Sequence, residues 1–339
     1  MIDKNNNVFL SICIPTYNRD AKLLELVKGI LMYEKDDIEV VVVDNCSTDN
    51  TSNFIGEISD NRLKYVLNDK NVGGAVNLVK SLTYGRGEFV MLCADRDRID
   101  HFNISLFIEH LSKDEDLVFG QAMLNLNNSL NENIFEKGFQ SVLKFSYKFN
   151  HPTGWFAKNS VLKDHKILEK GIENYGSFPY LLEILRAELS MFGRSKLIWI
   201  PLMHTATMEY IKNNTSSFST GENVYFHPKN YSGYFNTYIQ HLYKLNLTKQ
   251  EKRFILKKIY FLVLNNSTIG FKKNMNNAAL TSHYSMATRN VSVFELINIY
   301  IGFNRNFFNV NFDKKLLWKI VFLLECHLLT LPKEILKKV

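Results

Sequence analysis

Two carboxylates, Asp95 and Asp97, follow the apolar run Glu88–Cys93 two residues apart. On a loop, side chains at i and i+2 can face one small divalent cation, and Mg²⁺ or Mn²⁺ prefers such oxygen ligands. An ion held there can bridge a diphosphate and neutralise charge on a departing nucleotide. Arg96 and Arg98 alternate with the carboxylates and add positive charge near that diphosphate. Asp44 ends the run Ile38–Val43. It can accept hydrogen bonds from a uracil ring or a ribose, or it can cap the turn Asn45–Asp49, and the two roles are compatible. Asn71-Val72-Gly73-Gly74 opens a helix whose first N–H groups can face an anion, or it forms only a tight turn.

These residues become a site only if the fold gathers them at one edge. Val8–Pro15, Ile38–Val43, Leu63–Leu67 and Glu88–Cys93 read as short buried strands, rich in β-branched residues. Leu117–Phe119 and Leu197–Pro201 read as further strands. Between the first four lie helical stretches, Ala21–Tyr33, Asp49–Ser59 and Gly73–Thr83, and Phe102–Leu111 follows the fourth. Strands separated by helices imply a mostly parallel sheet covered on both faces. Ligands of such sheets bind beyond the carboxyl ends of the strands. The polar residues Thr16-Tyr17-Asn18-Arg19, Asp44-Asn45, Asn68-Asp69 and Asp95-Arg96-Asp97 all fall at those ends. A dinucleotide fold needs G-x-G-x-x-G after the first strand, where this chain has Pro15-Thr16-Tyr17-Asn18-Arg19; a P-loop is also absent. Further on, Asn125–Asn133 reads as a loop or hairpin tip, His151–Phe156 as a turn entering a strand, and Pro179 as lying near a helix start. The chain is expected to divide into a sheet domain, 1–210, and a mainly helical region, 211–339, with helices over Thr248–Leu264, Val291–Ile301 and Phe312–Lys338.

Four segments carry a resemblance. Leu10-Ser11-Ile12-Cys13-Ile14-Pro15-Thr16-Tyr17-Asn18-Arg19 resembles the opening of inverting, GT-A-fold glycosyltransferases of family 2. Val43–Thr51 and Asn68–Gly74 resemble their second and third motifs, and Asp95-Arg96-Asp97 resembles their metal motif. The wording is most similar to bacterial abequosyltransferase-like enzymes of surface polysaccharide synthesis. The resemblance implies an α/β, GT-A-type sheet flanked by helices, with a helical C-terminal extension. It implies a nucleotide-sugar donor, UDP-linked, held among Pro15, Thr16, Tyr17, Asn18, Arg19, Asp44, Asn45, Asn71, Gly73, Asp95 and Arg96. Mn²⁺ or Mg²⁺ would sit on Asp97 and Asp95, with His204 as a third ligand. Thr153, Gly154 and Trp155 resemble an acceptor-side Thr-Gly-aromatic segment; Trp155 would stack on a sugar or serve as a core aromatic. The chain departs from the family where many members carry Glu-Asp, one of the two being the catalytic base. Here Glu173 is the nearest carboxylate and Glu183 the next, and a residue outside the aligned segments is the third source of a base. An inverting transfer needs such a base within reach of the acceptor hydroxyl.

Charge divides the chain. From Thr205 onward there are 18 lysines and arginines against 7 acidic residues, whereas the whole chain is only +7. Lys252-Arg253, Lys257-Lys258, Lys314-Lys315 and Lys319 lie beside apolar helical sequence. That pattern fits an anionic membrane surface presenting a glycan or lipid-linked acceptor, helices packed on protein, or a homodimer contact. Nucleic acid is not expected, since no binding motif accompanies the charge. Cys13, Cys46, Cys93 and Cys326 form no C-x-x-C pair and fit reduced thiols. With no leader-like N-terminus and no apolar run of about 20 residues, a cytoplasmic protein, peripheral at the inner face of the membrane, is expected. Two rivals share the sheet: a nucleotidyltransferase acting on a sugar phosphate, and a non-catalytic nucleotide-binding scaffold.

Overall fold

The protein is described by a computed structural model. It describes residues 8–124, 131–148, 151–206, 224, 226–310 and 316–330. The chain divides into two compact units, Met1–Ile211 and Lys212–Val339.

The first unit is built on an eight-stranded sheet. Its first strands are β1 (Leu10–Thr16), β2 (Ile38–Asp44), β3 (Leu63–Leu67) and β4 (Phe89–Leu92). The short β5 (Arg98–Ile99) follows, then β6 (Leu117–Met123), β7 (Asn131–Phe135), β8 (Trp155–Lys158), β9 (Arg194–Trp199) and β10 (Met203–His204). The order across the large sheet is β3-β2-β1-β4-β8-β6-β9-β7, while β5 and β10 pair separately. β1 to β4 are parallel, and every residue of β2 is buried, as a strand covered on both faces requires. The helices between them, α1 (Asp20–Leu31), α2 (Thr51–Gly56) and α3 (Gly74–Thr83), supply the cover. α1 buries Leu23, Leu26, Val27 and Ile30 as one stripe.

Two topological features make the site. The chain steps outward from β1 to β2 to β3 and then returns to place β4 on the other side of β1. This reversal opens a crevice at the carboxyl ends of β1 and β4. β8 then inserts antiparallel between β4 and β6, with Met91 opposite Phe156. The entry to β8 therefore lies at the same edge as the exit from β4.

The helices α4 (Ile104–Ser112), α5 (Phe139–Phe145), α6 (Asn159–Asp164), α7 (Ile167–Tyr175) and α8 (Leu181–Leu189) complete the unit. The helix expected near Pro179 is α8. The Asn-rich stretch is corrected in part: residues 125–130 lie outside the described ones, but Asn131–Phe135 is an edge strand paired with β9. Pairing with a neighbour overrides the weak strand propensity of asparagine.

The second unit is helical, with α9 (Pro228–Leu242), α10 (Lys249–Asn265), α11 (Phe271–Met275), α12 (Ala278–His283), α13 (Val293–Asn309) and α14 (Leu316–Leu324). α10 begins at a capping box in which Thr248 and Glu251 satisfy each other's backbone N–H. Its core is aromatic: Tyr260 packs against Phe235, Phe303, Phe307 and Phe322. The expected helix over Phe312–Lys338 is α14 and a π-helical turn through Thr330; residues 311–315 and 331–339 lie outside the described ones.

Candidate active site

The loop after β1 turns through Asn18, whose φ of +52° lies in the left-handed region that asparagine tolerates better than most residues. Its side-chain oxygen accepts from Thr48 N at 2.8 Å, and its own N–H donates to Ser47 Oγ at 2.8 Å. The first two motif loops are thereby tied together.

At the end of β2, Asp44 is fully buried. Oδ1 accepts from Ser47 N (2.8 Å) and Ser47 Oγ (2.6 Å), and Oδ2 accepts from the Tyr65 hydroxyl at 2.6 Å. The carboxylate thus closes an Asx turn and braces β3; in this arrangement it is not open to a ligand. Its neighbour Asn45 donates to Asn71 Oδ1 (2.8 Å) and accepts from Val72 N (2.9 Å), fixing the loop that enters α3. Gly73 adopts φ +86° and leaves α3 without a side-chain cap. The first N–H groups of α3 therefore face a stretch with no protein acceptor from a capping residue, the usual setting for an anion.

The two carboxylates after β4 have different surroundings. Asp95 is partly open. Its Oδ2 accepts from Thr16 Oγ1 at 3.0 Å, and Arg19 Nε lies 4.0 Å from Oδ1. Burial pushes its pKa above the usual carboxylate value, while Arg19, Thr16 and Arg96 pull it back. Arg96 Nε is buried and lacks a hydrogen-bond partner among the described residues. An orphaned guanidinium N–H beside a carboxylate is a ready contact for a phosphate oxygen.

Asp97 is sealed. Its Oδ2 accepts a short hydrogen bond from Thr153 Oγ1, its Oδ1 accepts from Ala206 N at 2.9 Å, and His151 Nε2 stands 3.5 Å from Oδ2. Thr153 Oγ1 also accepts from Ala94 N at 2.9 Å, so one hydroxyl clamps the motif loop from both sides. Among the described residues no three His, Cys, Asp or Glu side chains converge as a metal-binding group. A clamp of two carboxylates is therefore not what this arrangement offers, because both oxygens of Asp97 already serve protein donors. His204 lies on β10 opposite Arg98 and belongs to no such group. Asp95 is the more exposed of the two carboxylates, 16% against none for Asp97, and one carboxylate plus the phosphates of a substrate suits Mg²⁺.

Residues 11–165 match the family model "Glycosyl transferase family 2". Over that stretch, just under half of its length, the chain is similar to family 2 glycosyltransferases. It is 28% identical over 192 residues to the GalNAc(5)-diNAcBac-PP-undecaprenol beta-1,3-glucosyltransferase of Campylobacter jejuni, covering 54% of this chain and 61% of that protein. It is 30% identical over 115 residues to the abequosyltransferase RfbV of Salmonella typhimurium, covering 32% of this chain and 34% of that protein. The chain thus spans less than two thirds of either relative. Among solved structures, residues 1–349 of TarS from S. aureus share the fold, with a TM-score of 0.58 at 17% identity over 89% of this chain and 81% of that one.

The first unit places the remaining expected residues away from the crevice. Trp155 is fully buried in β8 and is a core aromatic; it has no open face for a sugar. Thr153 is equally buried, and Gly154, at φ +85°, passes so close to Met203 Sδ and Ala122 O that a Cβ would collide at 2.6 and 2.7 Å. These residues support the Asp95–Asp97 loop from beneath and line no acceptor surface.

Glu183 is also buried. It pairs with Arg186 Nη1 at 2.7 Å and accepts from Tyr147 N at 2.7 Å. Burial raises its pKa, opposed by Arg186. Arg186 Nη2 continues to Gln121 Oε1 (3.2 Å), and Gln121 Nε2 donates to Thr153 O at 2.8 Å. Glu183, the second candidate for the base, is thus the far end of a buried polar chain that reaches Thr153 and, through it, Asp97. A Glu183→Gln variant is expected to lose about 1–3 kcal/mol of stability in urea denaturation, because Arg186 loses its countercharge. Its turnover per folded molecule should stay within about threefold of the parent, whereas removing a true base costs about a hundredfold or more.

Glu173, in contrast, is exposed on the last turns of α7. Gly176, which ends that helix, borders α3: an added Cβ would sit 3.4 Å from Val76, in ordinary contact. The end of α7 therefore borders the first turn of α3, at the ligand-binding edge of the sheet. His151 and Ala206 were not singled out from sequence. No local pattern marks them, since their roles exist only where β8 and β10 bring them to Asp97.

Proposed function

We propose that this protein is an inverting glycosyltransferase that moves a sugar from a UDP-linked donor to a glycan or lipid-linked oligosaccharide in surface polysaccharide synthesis. The observation that carries this reading is the meeting of Thr16, Arg19 and Asp95 at the β1/β4 crevice. It is supported by the family 2 match over residues 11–165 and by the PP-undecaprenol acceptor in the name of the Campylobacter relative.

In this reading the nucleoside lies over Pro15, Tyr17 and Asn18, with Asp44 and Asn45 holding the loops beneath it. The diphosphate lies between Arg19, Arg96 and the N-terminus of α3, three sources of positive charge at one edge. Asp95 would hold a Mn²⁺ or Mg²⁺ ion, which when bound neutralises charge on the leaving group. Transfer is a single displacement: the acceptor oxygen attacks the anomeric carbon as the bond to the β-phosphate oxygen breaks, and a base takes the hydroxyl proton. Glu173 is the base assigned here, from its exposure and its place one turn before Gly176, which borders α3. A Glu173→Gln variant is expected to lower kcat about a hundredfold or more, with donor affinity unchanged in titration calorimetry. Unaltered kcat would remove Glu173 from the mechanism. The acceptor places the enzyme at the inner face of the cytoplasmic membrane as a peripheral protein; among the described residues no helix is long and apolar enough to cross a bilayer.

The decisive experiment incubates the purified full chain with a panel of nucleotide-sugars, with and without Mn²⁺. It follows melting temperature and nucleoside diphosphate release. The true donor at saturating concentration should stabilise the protein by about 2–3 kcal/mol. Pyrophosphate released from a nucleoside triphosphate and a sugar phosphate would instead indicate a nucleotidyltransferase. Stabilisation without turnover on any acceptor would indicate a binding scaffold, the reading favoured by the burial of Glu183.

A further inference from the structure

The second unit leaves two helix faces bare that its own packing does not require. On α14, Leu316, Leu317, Ile320, Val321 and Leu324 are all exposed, Leu317 by 71%. Their spacing of i, i+1, i+4, i+5 and i+8 makes one continuous face. The opposite face buries Lys319, Phe322 and Leu323. On α13, Phe294, Ile297 and Ile301 are exposed at i, i+3 and i+7, Phe294 by 81%, and exposed Arg305 continues the same row one turn on.

The two helices are fixed to each other. Lys319 Nζ donates to Phe308 O at 2.6 Å and Val310 O at 2.7 Å, so it caps the carboxyl end of α13. Between them runs an open groove of about 460 Å³, whose lining includes Ile301, Arg305, Phe308 and Leu323. One pair of helices therefore presents two apolar faces and a guanidinium.

We propose that the apolar faces of α13 and α14 seat this protein on an anionic lipid bilayer, with Arg305 meeting lipid phosphate. Charge identifies the occupant. Lys212–Val339 carries eighteen lysines and arginines against six aspartates and glutamates, a net +12. Lys314-Lys315 immediately precede the α14 face in sequence. A second copy would bring another +12 unit against the first, which opposes association. The exposed side chains of α14 also carry no hydrogen-bonding group, whereas protein interfaces hold about one hydrogen bond per 100–200 Å². Acyl chains need none, and cationic residues beside an apolar helical face are the pattern of interfacial helices.

The test is flotation of the full chain with vesicles of phosphatidylcholine alone and with phosphatidylglycerol added. The parent is expected to float with the anionic vesicles and to detach as salt rises. Leu317→Asp combined with Leu324→Asp should weaken binding about tenfold or more, and Arg305→Glu by a similar factor on anionic vesicles only. Because these side chains are exposed, parental melting temperatures are expected; if the double variant does not fold, Phe294→Ser on α13 reads the same surface. Equal flotation of parent and variants overturns the proposal, as does binding indifferent to phosphatidylglycerol. A lipid-free dimer that dissociates on Leu317→Asp and does not float also overturns it, giving the face to a second copy. Flotation involves no sugar transfer, so its outcome is separate from that of the proposed catalysis.

Discussion

An Asp95→Asn variant is expected to lose transfer by about a thousandfold while melting no lower than the parent. The two halves of this result share one cause. Asp95 is the more exposed carboxylate of the motif, and Thr16 and Arg19 hold it at the crevice. Removing one preorganised charged group from a site of developing charge costs about 10²–10³ in kcat. The fold itself gains little from that charge, because burial holds the Asp95 carboxyl above its ordinary value in spite of Arg19 and Thr16. Asparagine keeps an oxygen for the Thr16 hydroxyl and removes a charge the fold disfavours. Residues kept at the expense of stability are typical of functional sites. Nucleoside diphosphate release and a thermal melt on the same preparation decide the matter. Parental turnover, or a melting point lower by several degrees, would contradict the assignment.

Asp97→Ala should behave in the opposite way and unfold more easily. Alanine leaves the Thr153 hydroxyl and the Ala206 N–H buried without their acceptor and removes the group beside His151. Leaving a buried donor without its acceptor costs about 1–3 kcal/mol for each. In a unit of this size that lowers the melting temperature by roughly 2–4 °C for each kcal/mol. Transfer should fall as well, since Thr153 also holds Ala94 at the start of the motif loop. Loss of activity alone would not distinguish a metal ligand from a clamp; the melt does. A solvent-facing ligand could be removed with no change in stability. If Asp97→Ala melts like the parent and only its Mn²⁺ response is lost, Asp97 is a ligand and the clamp is wrong.

The contrast between these neighbours was not legible in the sequence, although the motif was. Asp95 and Asp97 are the same residue type, two positions apart at the end of one strand. What separates them is contact with Thr16, 79 residues away, against contact with Thr153 and Ala206, 56 and 109 residues away. Glu183 teaches the same lesson: a carboxylate near the expected place of a base is held by Arg186 in a buried chain ending at Thr153. Trp155 was open between a sugar platform and a core aromatic, and only its burial in β8 decided it.

Legible in the residues alone were β1 to β4, the helices between them, the edge at which their polar ends meet, and the basic helical second half. These follow from local properties: runs of β-branched residues, apolar spacing near 3.6, and the charge of neighbouring side chains. The tertiary structure alone decided the rest. It inserted β8 antiparallel beside β4, brought β10 to β5, and so closed Thr153 and Ala206 over Asp97 while leaving Asp95 open. Periodicity is a property of a few successive residues, whereas a buried hydrogen bond needs a partner that only the path of the whole chain can deliver.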